Sequence, residues 1–308
     1  MTLTSAVDAD LLIIGGGPAG CAAALMADSL GLRTVLVEEH TVLCHKLRHI
    51  GDLVNVPGGH TTGHALAEAI TRDIDRTRHC VALLGQRVDC LQGTDSHVTA
   101  TVTTGTSITA PHTVVCTGVA PRPVHEADWI TTPPGLTPPP LWEAHPTAAG
   151  DAPRDVLVLG ADRPLGTHLR AHPHTRDRFL VVYPPADIYK TDEIRDDPRV
   201  HLLPAHHVAL NETDRLRVDI TDHRGQVTSW SADAAFTNIG GRPNPPARGV
   251  ISAPDGYCPP EGQHPRIRIA GDLRSARFQR ITTAMGSGSE AALAAYYTAE
   301  ATSKTQLR

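Results

Sequence analysis

Apolar positions near the start of the chain come as runs rather than as an alternation. Asp10-Leu11-Leu12-Ile13-Ile14 is a short apolar run halted by Gly15, Gly16 and Gly17, and Arg33 to Glu38 (RTVLVE) is a second. Runs of that length predict strands buried on both faces. The small residues from Cys21 to Leu30 predict a helix between them, so the chain opens as a βαβ unit. A second helix is predicted over Thr62 to Arg78, where Ala65, Leu66, Ala69, Ile70 and Ile74 recur at helical spacing. Val81 to Leu91 and His97 to Ile108 alternate and predict antiparallel strands, with turns at Gly93-Thr94-Asp95 and Thr104-Gly105. Thr113 to Cys116 predicts one more short buried strand.

The pattern breaks between Ala120 and Asp155, where prolines stand at 121, 123, 133, 134, 138, 139, 140, 146 and 153. That density is linker punctuation and predicts a domain boundary. Arg154 to Gly160 (RDVLVLG) then opens a second strand-turn-helix unit, with Phe179 to Tyr183 as its next strand. Another proline-rich patch, Arg242 to Ala247, predicts a return crossing. Ile267 to Ala295 predicts a strand, a Gly-Asp turn and a long helix of small residues.

Charge narrows the range of partners. Lys plus Arg number 28 against 33 Asp plus Glu, a net charge of -5, which offers no field to gather nucleic acid or an anionic membrane. No stretch approaches the roughly 20 apolar residues of a membrane span, and Met1 to Asp10 lacks a basic start before an apolar run. The expectation is a cytoplasmic protein with neither nucleic acid nor membrane as partner. Six cysteines are scattered without a CxxC, and 18 histidines accompany a general excess of Ala, Thr, Arg and Pro. Neither pattern predicts a disulfide framework or a metal site. His206-His207 and the pair His45/His49 are the arrangements nearest to ligand spacing.

Gly15, Gly17 and Gly20 form a GxGxxG that follows the first strand and opens the first helix. The first glycine permits a tight turn, the second lets backbone approach a pyrophosphate, and the third allows helix to pack on strand. Glu38 ends the next strand about 20 residues on, where a carboxylate accepts hydrogen bonds from a ribose. Together these predict a dinucleotide site.

Three further segments resemble, in order, those of the thioredoxin-reductase-like flavoproteins. They are Leu53-Val54-Asn55-Val56-Pro57-Gly58 before Thr62-Gly63, Cys116-Thr117-Gly118, and Arg268-Ile269-Ala270-Gly271-Asp272 followed by Thr283 to Ala292. Phe236 to Asn244 (FTNIGGRPN) is similar to that family's return segment. The resemblance covers nearly the whole chain and implies an α/β fold of two doubly wound, Rossmann-like three-layer domains. It implies an FAD domain made from residues 1–120 and 244–308, with an NAD(P)-binding-like domain, 121–243, inserted. It implies FAD as cofactor, with Gly15, Gly17, Pro18, Ala19, Gly20, Glu38, Glu39, Leu47, Asn55, Thr117 and Gly118 around it. Gly271 and Asp272 fall to the ribityl chain by the same resemblance. Gln279, Arg280 and Ile281 fall beside the flavin at the start of the closing helix, whose dipole points to the ring. A two-fold homodimer is also implied.

This sequence departs from the family where electrons are passed on. Members that reduce thioredoxin carry a CxxC at or near the second domain, and Pro121 to Asp155 has no cysteine. In the second glycine motif, Gly160-Ala161-Asp162-Arg163-Pro164-Leu165-Gly166, Asp162 would repel a diphosphate and Pro164 lacks an N–H. The strand that ends Val182-Tyr183-Pro184-Pro185 is not followed by a basic cluster for a 2'-phosphate. The expectation is an FAD oxidoreductase whose flavin reacts directly with a small-molecule substrate, with oxygen or with a protein electron donor. The alternatives are an NAD(P)H-dependent reductase with a non-standard nucleotide site and a redox-silent FAD-binding sensor or scaffold. The catalytic candidates are Arg280, which suits an anionic group, His49 as proton donor, and Cys44 in the loop after Glu38.

Overall fold

The structure is a computed structural model that describes residues 7–148, 151–212 and 215–306. In chain order its main elements begin with β1 (Leu11–Ile14), α1 (Pro18–Ser29), β2 (Thr34–Glu38), α2 (Gly63–Asp75) and β3 (Cys80–Leu84). Then come β4 (Val88–Gly93), β5 (Val98–Val102), β6 (Ser107–Ala110), β7 (His112–Val115), β8 (Asp155–Leu159), α3 (Pro164–Ala171) and β9 (Arg178–Tyr183). The remainder are β10 (Val200–Pro204), β11 (His207–Glu212), β12 (Leu216–Thr221), β13 (Val227–Ala232), β14 (Ala234–Thr237), β15 (Ile267–Ile269) and α4 (Ile281–Gln306). They fall into two compact units. One takes residues 1–48, 53–120 and 242–308, the other 49–52 and 121–241. The expected α/β class holds.

In the first unit β15, β7, β1, β2 and β3 form a parallel sheet in that order. β1, β2 and β7 are buried throughout, as their uninterrupted apolar runs require. One face of this sheet packs against a second sheet, in which β4, β5 and β6 are antiparallel; Leu12, Ile14, Val35, Val37, Val98, Ala100, Ile108, Ile267 and Ile269 share that core. The other face carries α1 and α4. The stretch Val81 to Leu91 departs from the expected antiparallel strand. Its first half is β3, parallel to β2, and only from Val88 does it become antiparallel. The division falls at Gly85, whose φ of +70° and N–H bond to the His40 carbonyl turn the chain out of the main sheet.

In the second unit β10, β9, β8 and β14 form a parallel sheet, and β11, β12 and β13 an antiparallel one. Thr147, in the proline-rich segment, is fastened to Asp177 by its N–H and its hydroxyl, and Arg154 ion-pairs with the same carboxylate at 2.9 Å. No helix among the described residues is long and apolar enough to cross a membrane.

Candidate functional site: the glycine loop and the start of α4

The three motif glycines of the first unit have three different surroundings. Gly15 adopts φ +102°, and a Cβ there would stand 2.6 Å from the Cys116 carbonyl oxygen. A Cβ on Gly20 would stand 1.8 Å from the Gly15 carbonyl oxygen. Gly17 faces open space, with nothing within 4 Å of an added Cβ. Packing therefore dictates the first and third, while the second leaves a backbone approach free, the arrangement a pyrophosphate needs. Gly17 caps α1 without a side-chain hydrogen bond, and Pro18 occupies its first turn. The helix thus starts three residues earlier than the small-residue run suggests, because proline is preset for a first turn. Its leading amides have no side-chain cap and keep their dipole for an anion.

α4 comes to this loop through residues without side chains in the way. A Cβ on Gly288 would stand 1.9 Å from the Ala19 carbonyl oxygen, and one on Gly271, at φ +71°, 2.9 Å from the Ala19 Cβ. Ser287 accepts a hydrogen bond from Gly271 N–H at 2.8 Å and donates to the Ala284 carbonyl at 2.8 Å. The start of α1, the turn carrying Asp272 and the start of α4 are therefore tied together. Ala19 is buried in this contact and acts in packing.

Glu38 has backbone partners within the chain. Its carboxylate accepts from Gly16 N–H at 2.5 Å and from His40 N–H at 2.8 Å, so here it braces the glycine loop, with lone pairs left for a ribose. Burial pushes its carboxyl above the usual range, and the two amides pull the other way. Glu39 ion-pairs with Arg87 at 3.0 Å and accepts from Asn244 Nδ2 at 3.3 Å. Leu47 is buried. Asn55 is exposed, in a loop closed by Leu53 N–H donating to the Thr61 carbonyl at 2.8 Å.

Thr117 and Asp272 supply polar atoms beside the loop. Thr117 Oγ1 is buried without a hydrogen-bond partner among the described residues, and Gly118 follows at φ +62°. A buried hydroxyl left alone is costly and points to a partner not supplied by the chain. Burial pushes the Asp272 carboxyl up, opposed by the charge of Lys46. Gln279 turns its amide inward, Nε2 donating to Tyr257 Oη at 3.2 Å and to the Ser275 carbonyl at 3.0 Å. It braces the turn rather than facing out. Arg280 is exposed and donates to the Gln279 carbonyl at 2.7 Å, directly before Ile281 begins α4.

Cys44 and His49 are the other two catalytic candidates. Cys44 is buried, its sulfur 3.9 Å from that of Cys21, because the loop turns inward at φ +53°. His49 groups with the second unit. Sequence reasoning missed Ser287 and Lys46. The first was hidden in a run of small helical residues and the second in a loop with no motif. Among the described residues no group of three or more His, Cys, Asp and Glu is set to hold a metal ion.

In the second unit Gly160 repeats the geometry of Gly15, with φ +98° and an added Cβ 2.4 Å from the Asn238 carbonyl oxygen. Asn238 is buried, and its Nδ2 donates to the Asp162 carbonyl at 2.6 Å. A Cβ on Gly166 would meet the Glu193 carboxylate at 2.6 Å. Glu193 ion-pairs with Arg170, which also holds Asp52 at 2.7 Å. Two carboxylates, Asp162 and Glu193, thus stand at the turn and first turn of α3.

Residues 10–44 match the family model described as FAD dependent oxidoreductase. That segment is similar to the nucleotide-binding start of FAD-dependent oxidoreductases. FAD is its cofactor, and the open Gly17, the uncapped start of α1 and the orphaned Thr117 hydroxyl fit that molecule. The chain is 26% identical over 326 residues to the F subunit of alkyl hydroperoxide reductase from Staphylococcus aureus (strain MSSA476), covering 93% of this chain and 58% of that protein. It therefore spans less than two thirds of that relative. Its fold is similar to thioredoxin reductase from T. acidophilum (TM-score 0.76, 17% identity, 95% of this chain and 99% of that one). It is similar also to Lactococcus lactis thioredoxin reductase (TM-score 0.75, 18% identity, 94% and 98%). A third similar fold is the bacillithiol disulfide reductase from Bacillus cereus (TM-score 0.68, 16% identity, 94% and 100%).

Proposed function

We propose that this protein is a thioredoxin-reductase-like FAD oxidoreductase whose flavin exchanges electrons directly with a small substrate, oxygen or a protein donor. NADPH and a dithiol relay have no part in this reading. The observation that carries it is the contrast between two glycine turns of the same backbone geometry. Around Gly17 there is room and unspent N–H dipole for a diphosphate; in the second turn Asp162 follows Gly160, its carboxylate 3.7 Å from where a Cβ on Gly240 would stand, and the Glu193 carboxylate lies against Gly166. Like charge at the second turn disfavours a dinucleotide diphosphate.

Bound FAD supplies the redox chemistry itself. In this reading the amides of Gly17 and the first turn of α1 hold the pyrophosphate, Glu38 accepts from the ribose, and Thr117 donates its hydroxyl. Asp272 binds the ribityl chain, its turn held to α4 by Ser287. Gln279 stiffens that turn. Arg280, exposed beside the start of α4, grips an anionic group of the reacting partner. The six cysteines include no CxxC, which supports direct exchange. By the same resemblance the protein is a cytoplasmic homodimer.

An anaerobic spectral titration of the purified flavoprotein with NADPH, NADH, a dithiol and reduced ferredoxin in turn tests this. Bleaching by ferredoxin or a small donor, with the pyridine nucleotides inert, is expected. Stoichiometric bleaching by NADPH would instead support an NADPH-dependent reductase, and no bleaching by any donor a redox-silent FAD-binding module.

A further inference from the structure

We propose that Cys21 and Cys44 are a reversible redox pair that closes to an intrachain disulfide under hydrogen peroxide. The two residues are 23 positions apart in sequence, yet their sulfurs lie 3.9 Å apart in the interior of the first unit. Both are buried, at 0% and 1% exposure. Both also hang from one peptide of the glycine loop. Cys21 Sγ donates to the Gly16 carbonyl at 3.3 Å, and Cys44 N–H donates to the same oxygen at 2.8 Å.

The backbone at Cys44 carries a second mark. Its φ of +53° lies in the left-handed region, which a non-glycine residue enters at a cost. That turn brings its thiol inward to Cys21 rather than outward to solvent. To form a disulfide these sulfurs have to close from 3.9 Å to about 2.05 Å.

The chemistry balances with peroxide as the sole oxidant. The Cys44 thiol, as thiolate, attacks one peroxide oxygen, the O–O bond breaks, and water leaves a sulfenic acid. The Cys21 thiol then attacks that sulfur, and a second water leaves. In sum, two thiols and one hydrogen peroxide give one disulfide and two waters; each sulfur gives up one electron, and the O–O bond takes both. Cys44 is placed first because the Cys21 S–H is engaged by the Gly16 carbonyl. The Cys44 thiol and burial also push the Cys21 thiol up, with Glu38 and Cys116 acting in the same direction, so attack by Cys21 as thiolate, and with it closure, speeds as pH rises. The bond would tie the loop after Glu38 to α1 and remove the S–H donor from Gly16, so the glycine loop reports the oxidation state of the pair.

The full flavoprotein is treated with hydrogen peroxide, its free thiols are alkylated, and the denatured chain is mapped by mass spectrometry. The expected result is loss of two of the six thiols, a peptide joining Cys21 to Cys44, and reversal by dithiothreitol. The rate should be higher at mildly alkaline than at neutral pH, and the oxidised protein should melt several degrees higher. Cys44→Ala abolishes the joined peptide, whereas Cys116→Ala keeps it; if either variant fails to fold, the wild-type map decides. Cys21 and Cys44 still alkylatable once the partly exposed Cys90 is oxidised, or Cys21 joined to Cys116 instead, would overturn the proposal.

Discussion

The α-carbon of Gly288 lies so near the carbonyl of Ala19 that a Cβ on it would stand 1.9 Å from that oxygen. Two helices from opposite ends of the sequence thus meet backbone to backbone, and that contact carries the start of α4 to the glycine loop. Gly288→Ala should push α4 away, at a cost of about 1–3 kcal/mol as for other overpacked cores. A lower melting temperature together with less flavin per purified chain is the expected result.

Thr117 offers a test that separates holding the cofactor from holding the fold. Its hydroxyl is buried without a partner among the described residues, so Thr117→Val costs the cofactor-free protein nothing and can stabilise it. The loss of one hydrogen bond to FAD, about 1 kcal/mol, weakens binding by about fivefold. Paired melting and FAD-binding curves check both halves. A variant that melts lower without FAD and binds FAD unchanged would show the hydroxyl to be structural.

Asp272→Ala should behave differently again. Burial disfavours the charge of this carboxylate, so its removal spares the fold while FAD is lost during gel filtration. Flavin absorbance per chain, with circular dichroism as the control, is the measurement.

Acid should loosen both units. Burial lowers His112 to about 4 in the first and His168 to about 4 in the second, with neighbouring cationic groups adding to it. Both values lie below the ordinary 6.5, so the folded state holds these imidazoles neutral. The stability they contribute is complete above about 6.5 and drains as pH falls through that value toward about 4. Urea midpoints measured across that window should decline, and less steeply in His168→Leu, which retains the apolar contact with Phe179.

The parallel core was legible because buried strands must be written as apolar runs: Leu11 to Ile14 and Thr34 to Glu38 need no partner information. The roles of Gly15, Gly17 and Gly20 were legible for a similar reason, since spacing fixes which glycine turns, which opens and which packs. The direction of β3 was not, because alternation at its edge position reads alike for parallel and antiparallel pairing. Cys44 read only as a thiol in the loop after Glu38, and the structure alone shows its left-handed backbone and its place beside Cys21. Glu193 could not be found at all from spacing; its place over Gly166 depends on packing between residues distant in sequence.

Rapid mixing of the flavoprotein with NADPH under anaerobic conditions separates direct electron exchange from reduction by a pyridine nucleotide. Asp162 stands in the second glycine turn, Glu193 lies against Gly166, and no basic cluster follows Tyr183, so flavin bleaching should be slow and should not saturate up to millimolar NADPH. Asp162→Gly alone should not bring it to full rate, because Glu193 stays over Gly166. Fast bleaching that saturates at micromolar NADPH in the unaltered protein would contradict the account.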